Sequence, residues 1–393
     1  MNKNSFTIIE FLIALAIVVF LVGIIFIQLK PIDYFKNIRD DKRISDLNNL
    51  ETILNILLLE DKNLESGLST TTVYVSLPDN SPTCSSWISQ LPTLPPSWQY
   101  KCSATPYLVN GQGWIPIDFT TSSRNKIIKL KNLPIDPINK PPYYYSYITG
   151  GSYTLYAQLE NLQSQASKND GDNYPHLYSV GTNKRLIDQV QGLVGYWSFD
   201  DCTAKDLSGN ENNGTLVNGP TCVDGKVGKA LSFDGVDDYV NVPDNSMLIL
   251  TGNLTILLWM NKTSEANDWQ RLIGKGNSNH RNYGLWEENV SGQRILFQQY
   301  GGGCGNLFSN SKLATGTWYL VGAIRSENNG FIYINGNKDS SGSCWGTPYT
   351  SNDPLTFAYA GFHTFYPGFI DEIRIYNRAL SDAEIKALYE ATK

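Results

Sequence analysis

The sequence predicts two modules of different class: an α+β module, in which a long N-terminal α-helix packs on a small antiparallel sheet, and then an all-β sandwich. Three observations carry this reading. Residues 6–27 (FTIIEFLIALAIVVFLVGIIFI) are apolar apart from Thr7 and Glu10, and Ile44, Leu47, Leu50, Leu54, Leu57 and Leu58 then recur at helical spacing among Asp, Asn, Lys and Arg. Residues 69–180 hold short strand-like runs between turn residues. From residue 192, strands at regular spacing are broken by Gly, Asn and Asp, the pattern of a sandwich.

Composition agrees with two or three domains in 393 residues. Only 17% of residues are charged, while Gly, Asn, Ser and Tyr are abundant, as in extracellular β-rich proteins. Residues 1–187 hold 16 Lys/Arg against 15 Asp/Glu and residues 188–393 hold 15 against 22, so the net charge of −6 resides in the second half. Phosphate binding needs clustered cations, which argues against a nucleic-acid surface there; an acidic module is compatible with calcium. The six cysteines fall as local couples, Cys84 with Cys102, Cys202 with Cys222 and Cys304 with Cys344. None has zinc spacing, so disulfides formed in an oxidising compartment are expected, with neighbour pairing taken among the connectivities that six cysteines allow.

At ~1.5 Å per residue, residues 6–27 reach across a ~30 Å hydrocarbon core. A secretory signal would end in a small-residue cleavage site, whereas here the run starts after MNKNS and no Ala-x-Ala follows. A carboxylate in lipid costs roughly 2.5–3.5 kcal/mol, so Glu10 marks a partner. The short basic leader, the Phe and the Glu four residues after it resemble the class III signal of type IV pilins and pseudopilins. The resemblance implies a leader at 1–5, cleavage by a prepilin peptidase between Ser5 and Phe6, and a transmembrane and filament-core helix at 6–29. Glu10 of one subunit would neutralise the new Phe6 amine of the next. Ser5 stands where that family prefers Gly.

Residues 30–187 would form the head. Pro31 should kink the helix, and Gly67 ends it. TTTVYVSL alternates as a strand, and LVNGQGWIPIDF holds two apolar runs around Gly111 and Gly113. CSSWISQLPTLPPSWQYKC is a Pro-rich loop that a Cys84–Cys102 bond would close. LPIDPINKPPYYYSYITGGSYTLYAQLE reads as a loop, a strand at 143–148, a Gly-Gly turn and a strand at 153–159. Leu133, Pro134, Asp136, Pro137, Tyr144, Tyr153, Leu155, Ala157, Leu159 and Glu160 resemble the C-terminal part of many bacterial pilins and pseudopilins. In some pseudopilins this loop binds calcium, but Asp136 alone is too few ligands. The polar tail at 167–190 would close the head and link onward.

In the second module, residues 190–393, Asn335-Gly336 between alternating apolar residues signals a hairpin, and Ser381 with Glu384 forms a capping box for a last helix. GLVGYWSFDD, DLSGNENNG, FDGVDDYVNV, LTILLWM, GFIYINGNKDSSG and FIDEIRIYNRALSDAEI follow in the order of laminin-G/concanavalin A-like jelly-roll domains, which this half resembles. A membrane-proximal pilin head carrying such a module is similar to the modular minor pilins of type IV filaments. That resemblance implies a subunit held in the cytoplasmic membrane before assembly and then on the extracellular pilus of a prokaryote. Its partners would be other pilin subunits and a carbohydrate or surface glycoprotein.

Calcium takes six to eight oxygens, and the resemblance places an ion, structural in role, where the Asp-x-Ser-Gly-Asn loop meets the last long strand. Asp206 and Asp371 are then the expected carboxylate ligands, with Asn210 helping. Sugar recognition uses aromatic faces beside polar groups. Among the loop aromatics Trp269, His280, Trp286, Tyr300, Trp345, Tyr349, His363 and Tyr366, the expected ligand-binding residues are Tyr300 and Trp345, brought towards each other by a Cys304–Cys344 bond, and Trp286. Trp197, Trp259 and Trp318 fit strand cores. Catalysis is not expected. Jelly-roll glucanases carry Glu-x-Asp-x-x-Glu on one strand, a string missing here, and the adjacent Asp371 and Glu372 should point to opposite faces. The chain thus reads as a non-enzymatic minor pilin presenting a lectin-like module. The alternatives are a structural pilin or type II secretion pseudopilin with a spacer module, and, less favoured, a surface glycosidase.

Overall fold

The computed structural model describes residues 8, 9, 11–13, 15–17, 31–61, 64, 65, 68–95, 98–120, 130–149, 152–184, 186–265, 268–277, 279–288, 293–303, 305–343, 345–361 and 365–393. Ser5, Phe6, Glu10, Gly67, Cys304, Cys344 and His363 lie outside them. Among the described residues, no helix is long and apolar enough to cross a membrane. Helix α1 (Pro31–Glu60) is two things along its length. Leu47, Leu50, Leu54 and Leu57 are buried against the head, whereas Ile32 and Phe35 near its start are 71% and 57% exposed.

The head sheet runs in the order β2-β1-β3-β4-β5, from β1 (Thr72–Pro78), β2 (Gln99–Ser103), β3 (Tyr145–Thr149), β4 (Tyr153–Gln158) and β5 (Leu177–Val180). It is mixed rather than antiparallel, because β2 runs parallel to β1 with Thr72 opposite Gln99. The Pro-rich segment 79–98, closed by the Cys84–Cys102 disulfide, carries the chain back to the start of β1 before it pairs. The two strands expected in 108–119 reduce to one bridge, Asn110 with Asp118; Trp114, Ile115, Ile117 and Phe119 are buried on the helix side instead. Tyr74, Tyr145, Tyr147, Tyr153 and Leu155 face α1, while Val73, Val75, Ile148 and Tyr156 face the other way into a second core. Both faces of this sheet are therefore covered. A short helix, α2 (Gln165–Lys168), precedes β5, and α3 (Leu186–Gln191) follows it, with Leu186, Ile187 and Val190 buried.

The second module is the expected sandwich. One sheet runs β18-β17-β16-β11-β20-β9-β8, with β6 also on β20. Its strands are β6 (Leu193–Trp197), β8 (Thr221–Asp224), β9 (Lys229–Asp234), β11 (Leu254–Lys262), β16 (Tyr319–Ser326), β17 (Asn329–Ile334), β18 (Asn337–Ser343) and β20 (Pro367–Tyr376). The facing seven-stranded sheet runs β15-β14-β13-β12-β19-β10-β7. It is built from β7 (Thr215–Val217), β10 (Tyr239–Val242), β12 (Gln270–Lys275), β13 (Tyr283–Glu287), β14 (Arg294–Gln298), β15 (Asn306–Lys312) and β19 (Leu355–Phe357). Their inner faces enclose Trp197, Leu258, Met260, Leu285, Phe297, Ile332, Phe357 and Ile373. Asn335 and Gly336 form the two-residue hairpin turn, both at positive φ, and Ser381 with Glu384 caps α4 (Asp382–Thr392) by the expected box. The Cys202–Cys222 disulfide is formed.

The outer face of the eight-stranded sheet is not exposed. Leu257, Ile324, Tyr333 and Tyr376, together with Ile385 and Leu388 of α4, join the second core of the head. Trp259 packs here, under Tyr389 of α4, and not between the sheets. The order of layers is thus α1, head sheet, eight-stranded sheet with α4 beside it, and seven-stranded sheet.

Arg43 of α1 holds the first two layers in register. It is fully buried, and its Nε and Nη2 donate to Asp136 at 2.6 and 3.0 Å, while Nη1 donates to Asp40 and Glu160, each at 2.7 Å. Arg39 forks onto Glu160 with two bonds of 2.6 Å. Burial works against the Glu160 carboxylate, but Arg39 and Arg43 hold it below the usual range. Asp136 and Glu160, 24 residues apart in sequence, meet on this one guanidinium. Removing it strands buried carboxylates: Arg43→Ala should cost about 3–5 kcal/mol in equilibrium unfolding, and Arg43→Lys should not restore it, because an ammonium lacks the planar fork.

Candidate functional site

With one sheet packed against the head, the outer face of the seven-stranded sheet is where the sandwich can meet a ligand. The apolar cluster on it, Trp286, Leu296 and Ala360 with Trp269 and Phe308, holds sandwich residues only. Strand register lays one row across all seven strands: Asn306, Gln298, Gly284, Gly274, Thr356, Asn241 and Thr215. The paired glycines matter because a Cβ on Gly274 would meet Arg271 Nε at 2.9 Å and one on Gly284 would meet Trp286 Nε1 at 2.8 Å. Arg271 and Arg281 both lie over Trp286, 4.7 and 4.6 Å from its ring. Arg271 donates to the Gly276 carbonyl at 2.9 Å, and burial, then Arg281, pushes its guanidinium down to about 9.

Towards β7 the face opens. Tyr239, Tyr359 and Phe365 form a half-buried aromatic group, with Tyr359 stacked on Phe365 at 4.5 Å and Tyr239 4.8 Å from Tyr359. The amide of Asn241 and the hydroxyl of Thr215 lie beside them on the register row. Ring faces next to hydroxyl and amide groups suit a pyranose, which has an apolar face and a polar rim. This group was absent from the sequence expectations. The alternation in DYVNV, with Val240 and Val242 inward, is the signal that would have turned Tyr239 and Asn241 outward.

The expected aromatic edge is not assembled. Backbone pairing does bring Gly303 against Trp345, but the Trp345 side chain is 1% exposed and stacks on Phe297 at 4.4 Å inside the core. Trp286 is 2% exposed, with Arg271 and Arg281 over its ring. Tyr300 is half-buried beneath Arg281, 4.6 Å away. Of the remaining loop aromatics, Tyr366 is buried, Trp269 rests on Phe308, and Tyr349 is exposed beside His280.

Residues 234–386 match the family model of the concanavalin A-like lectin/glucanases superfamily. The sandwich is a lectin-like domain of that kind. Among solved structures, it is similar to domain 4 of AbnA, a GH43 extracellular arabinanase from Geobacillus stearothermophilus, in complex with arabinotriose. The identity is 23% and the TM-score 0.44 over 50% of this chain and 98% of that one. It is also similar to the binding domain of Paraclostridial Mosquitocidal Protein 1, at 19% identity and a TM-score of 0.43, covering 50% of this chain and 52% of that one. The binding domain of botulinum neurotoxin serotype G follows at 16% identity and a TM-score of 0.41, with 50% of each chain covered. This chain thus spans about half the length of those two. No curated protein matches it.

Within the lectin-like domain, the Asp206 carboxylate is bonded to its own loop and to β6. Its Oδ1 accepts from Tyr196 N and Ser208 N, and its Oδ2 from Ser208 Oγ and Asn212 N, all at 2.9–3.0 Å. Asn210 donates its amide to the Leu193 carbonyl and to Ser208 Oγ. Both residues hold the 206–213 loop on β6. Asp371 sits elsewhere, under the turn at 225–229, accepting from Val227 N at 2.9 Å through Oδ2. A further acidic group, Asp234, Asp237 and Asp238, brings its oxygens within 4.8 Å of one another. Backbone N–H groups of 236–238 donate to Asp234 Oδ1, so the turn itself organises it.

Strand alternation fails at Asp371 and Glu372. Glu372 has φ +55°, and Glu372 and Ile373 together oppose Leu258, a β-bulge. Here β20 changes neighbours, from β9 over 367–370 to β6 over 373–376. Glu372 accepts from Tyr196 OH at 2.8 Å and from Arg374 at 2.7 Å, while Asp371, 0% exposed, has a buried Oδ1 that meets no donor. Burial, then Glu372, pushes the Asp371 carboxyl up to about 8. Because the folded form prefers the proton, its contribution to stability is whole below the ordinary aspartate range and is lost as pH rises through about 8. Asp371→Asn should remove a slope of up to ~1.4 kcal/mol per pH unit between pH 5 and 8. Unfolding free energies of the two proteins across that range check this; parallel curves would refute it.

Proposed function

We propose that this chain is a minor, modular pilin of a type IV filament whose lectin-like domain binds glycans or glycosylated surface ligands without catalysis. One observation supports the reading: among the described layers, α1 with exposed apolar residues at its start lies at one end of the stack, and the outer face of the seven-stranded sheet lies at the other. The first suits packing into a bilayer and then a filament, continuing the apolar run with Glu10; the second suits contact with a ligand. Prepilin peptidase, other pilin subunits, the cytoplasmic membrane and a surface carbohydrate are the partners this reading requires. The non-catalytic part is supported by Glu372, whose oxygens are taken by Tyr196 and Arg374.

Glycan-array binding by the full chain tests the domain. Tyr359→Ala and Asn241→Ala should each lower binding about tenfold or more, as loss of a stacking or hydrogen-bonding group predicts. An array with no positive glycan would leave the domain a spacer. Incorporation of Glu10→Ala into fibres tests the other half: the variant should be excluded from filaments, and normal incorporation would end the polymer reading.

A further inference from the structure

Between the two sheets of the sandwich a lysine and a glutamate meet in the interior. Lys262 ends β11 of the eight-stranded sheet, and Glu287 ends β13 of the seven-stranded sheet. Leu258 and Met260 of β11 and Tyr283 and Leu285 of β13 point into the core, and strand alternation turns Lys262 and Glu287 the same way. Lys262 is 1% exposed and Glu287 0%. The Lys262 Nζ lies 2.6 Å from Glu287 Oε1 and 3.0 Å from Oε2 of Glu265, whose side chain is 52% exposed. Thr315 Oγ1 donates to the other oxygen of Glu265 at 2.6 Å and fixes it there. The Glu287 carboxyl carbon is at most one C–O bond, ~1.2 Å, further from the amine than Oε1. Reacting groups held at such range act with effective molarities on the order of 10⁵–10⁸ M.

As an ion pair this arrangement is incomplete. Glu287 Oε2 is buried and accepts no hydrogen bond among the described residues. Burial pushes the Glu287 carboxyl above the ordinary glutamate range, against the pull of Lys262. A buried charge pair offsets its desolvation only when the remaining lone pairs are satisfied. Condensation to an amide removes both charges and expels one carboxyl oxygen as water. Glu265 touches the same Nζ from the solvent side, so it can take a proton from the amine and exchange it with water.

We infer that Lys262 and Glu287 form an intramolecular isopeptide cross-link joining the two sheets, with Glu265 as the general base. Glu287 reacts as the protonated acid. Glu265 takes one proton from the Lys262 ammonium, and the freed amine attacks Cδ of Glu287. The Nζ–Cδ bond forms, the Cδ–OH bond breaks, and the hydroxyl leaves as water with a second proton from Nζ. Glu265 returns its proton to solvent, so an ammonium and a carboxylate have become an amide and one water, with no change of oxidation state. The cross-link stands or falls independently of the glycan and filament readings. Intact-mass spectrometry of the purified full chain, disulfides formed, should find it lighter by one water than its uncondensed sequence. Proteolysis should release one branched peptide joining residues 262 and 287. Lys262→Arg, which keeps the charge but cannot condense in this way, should restore the full mass and abolish the branched peptide. Glu265→Ala, at an exposed position, should slow condensation about a hundredfold or more, read as the uncondensed fraction of freshly expressed protein. A folded wild-type chain of full mass overturns the inference. So does a lost water that persists in Lys262→Arg, because the dehydration then lies elsewhere, and so does condensation at an unchanged rate in Glu265→Ala. Should Lys262→Arg fail to fold, the presence or absence of the branched peptide in the wild-type chain decides alone.

Discussion

The apolar core that the head sheet shares with the eight-stranded sheet decides which surfaces of this protein can meet anything else. Strands such as TVYVSLP and YSYIT have large residues on both faces, and a sheet of that kind is stable only with a layer on each side. Helix α1 supplies one layer. The lectin-like domain supplies the other through Leu257, Ile324, Tyr333 and the apolar side of α4. The sandwich is consequently not a bead on a linker; residues 186–193, which join the modules, themselves contribute Leu186, Ile187, Val190 and Leu193 to the shared core.

Within this stack, ionic groups set orientation where apolar packing alone would not. Arg43 is met by carboxylates from its own helix, from the loop before β3 and from the end of β4, so the helix can neither rotate nor slide without breaking several charge-assisted bonds. The sandwich has a matching device in Arg378, which joins Gln191 at the end of α3 to Glu384 in the first turn of α4. Both arginines reach across elements far apart in sequence, and the two sit on opposite sides of the head sheet.

Much of this was legible in the chain, for reasons that are local. The helical stripe of Leu47, Leu50, Leu54 and Leu57, the Asn335-Gly336 turn and the Ser381–Glu384 cap are each settled within a few residues, and each forms as expected. What was not legible depends on long-range choices. Parallel pairing of β2 follows from the path of a loop, which no periodicity encodes. Trp345 looked like a loop aromatic, but its bridge to Gly303 turns it inward onto Phe297. Asp206 carries a ligand-like residue type, yet its oxygens are spent on the backbone donors of its own loop. The bulge at Glu372 breaks the alternation on which the reading of Asp371 and Glu372 rested. The Tyr239, Tyr359 and Phe365 group joins residues more than a hundred positions apart, so only the fold could bring it into view.

The fusion of head and lectin-like domain into one body has a mechanical corollary. Were the outer sheet face held by a surface while α1 was drawn back, the tension would pass through the full breadth of a buried seam, loading many contacts in parallel. No slack tether would stretch first. The outermost sheet would then keep its angle to the helix axis under traction, so an anchored ligand would feel a stiff arm rather than a leash.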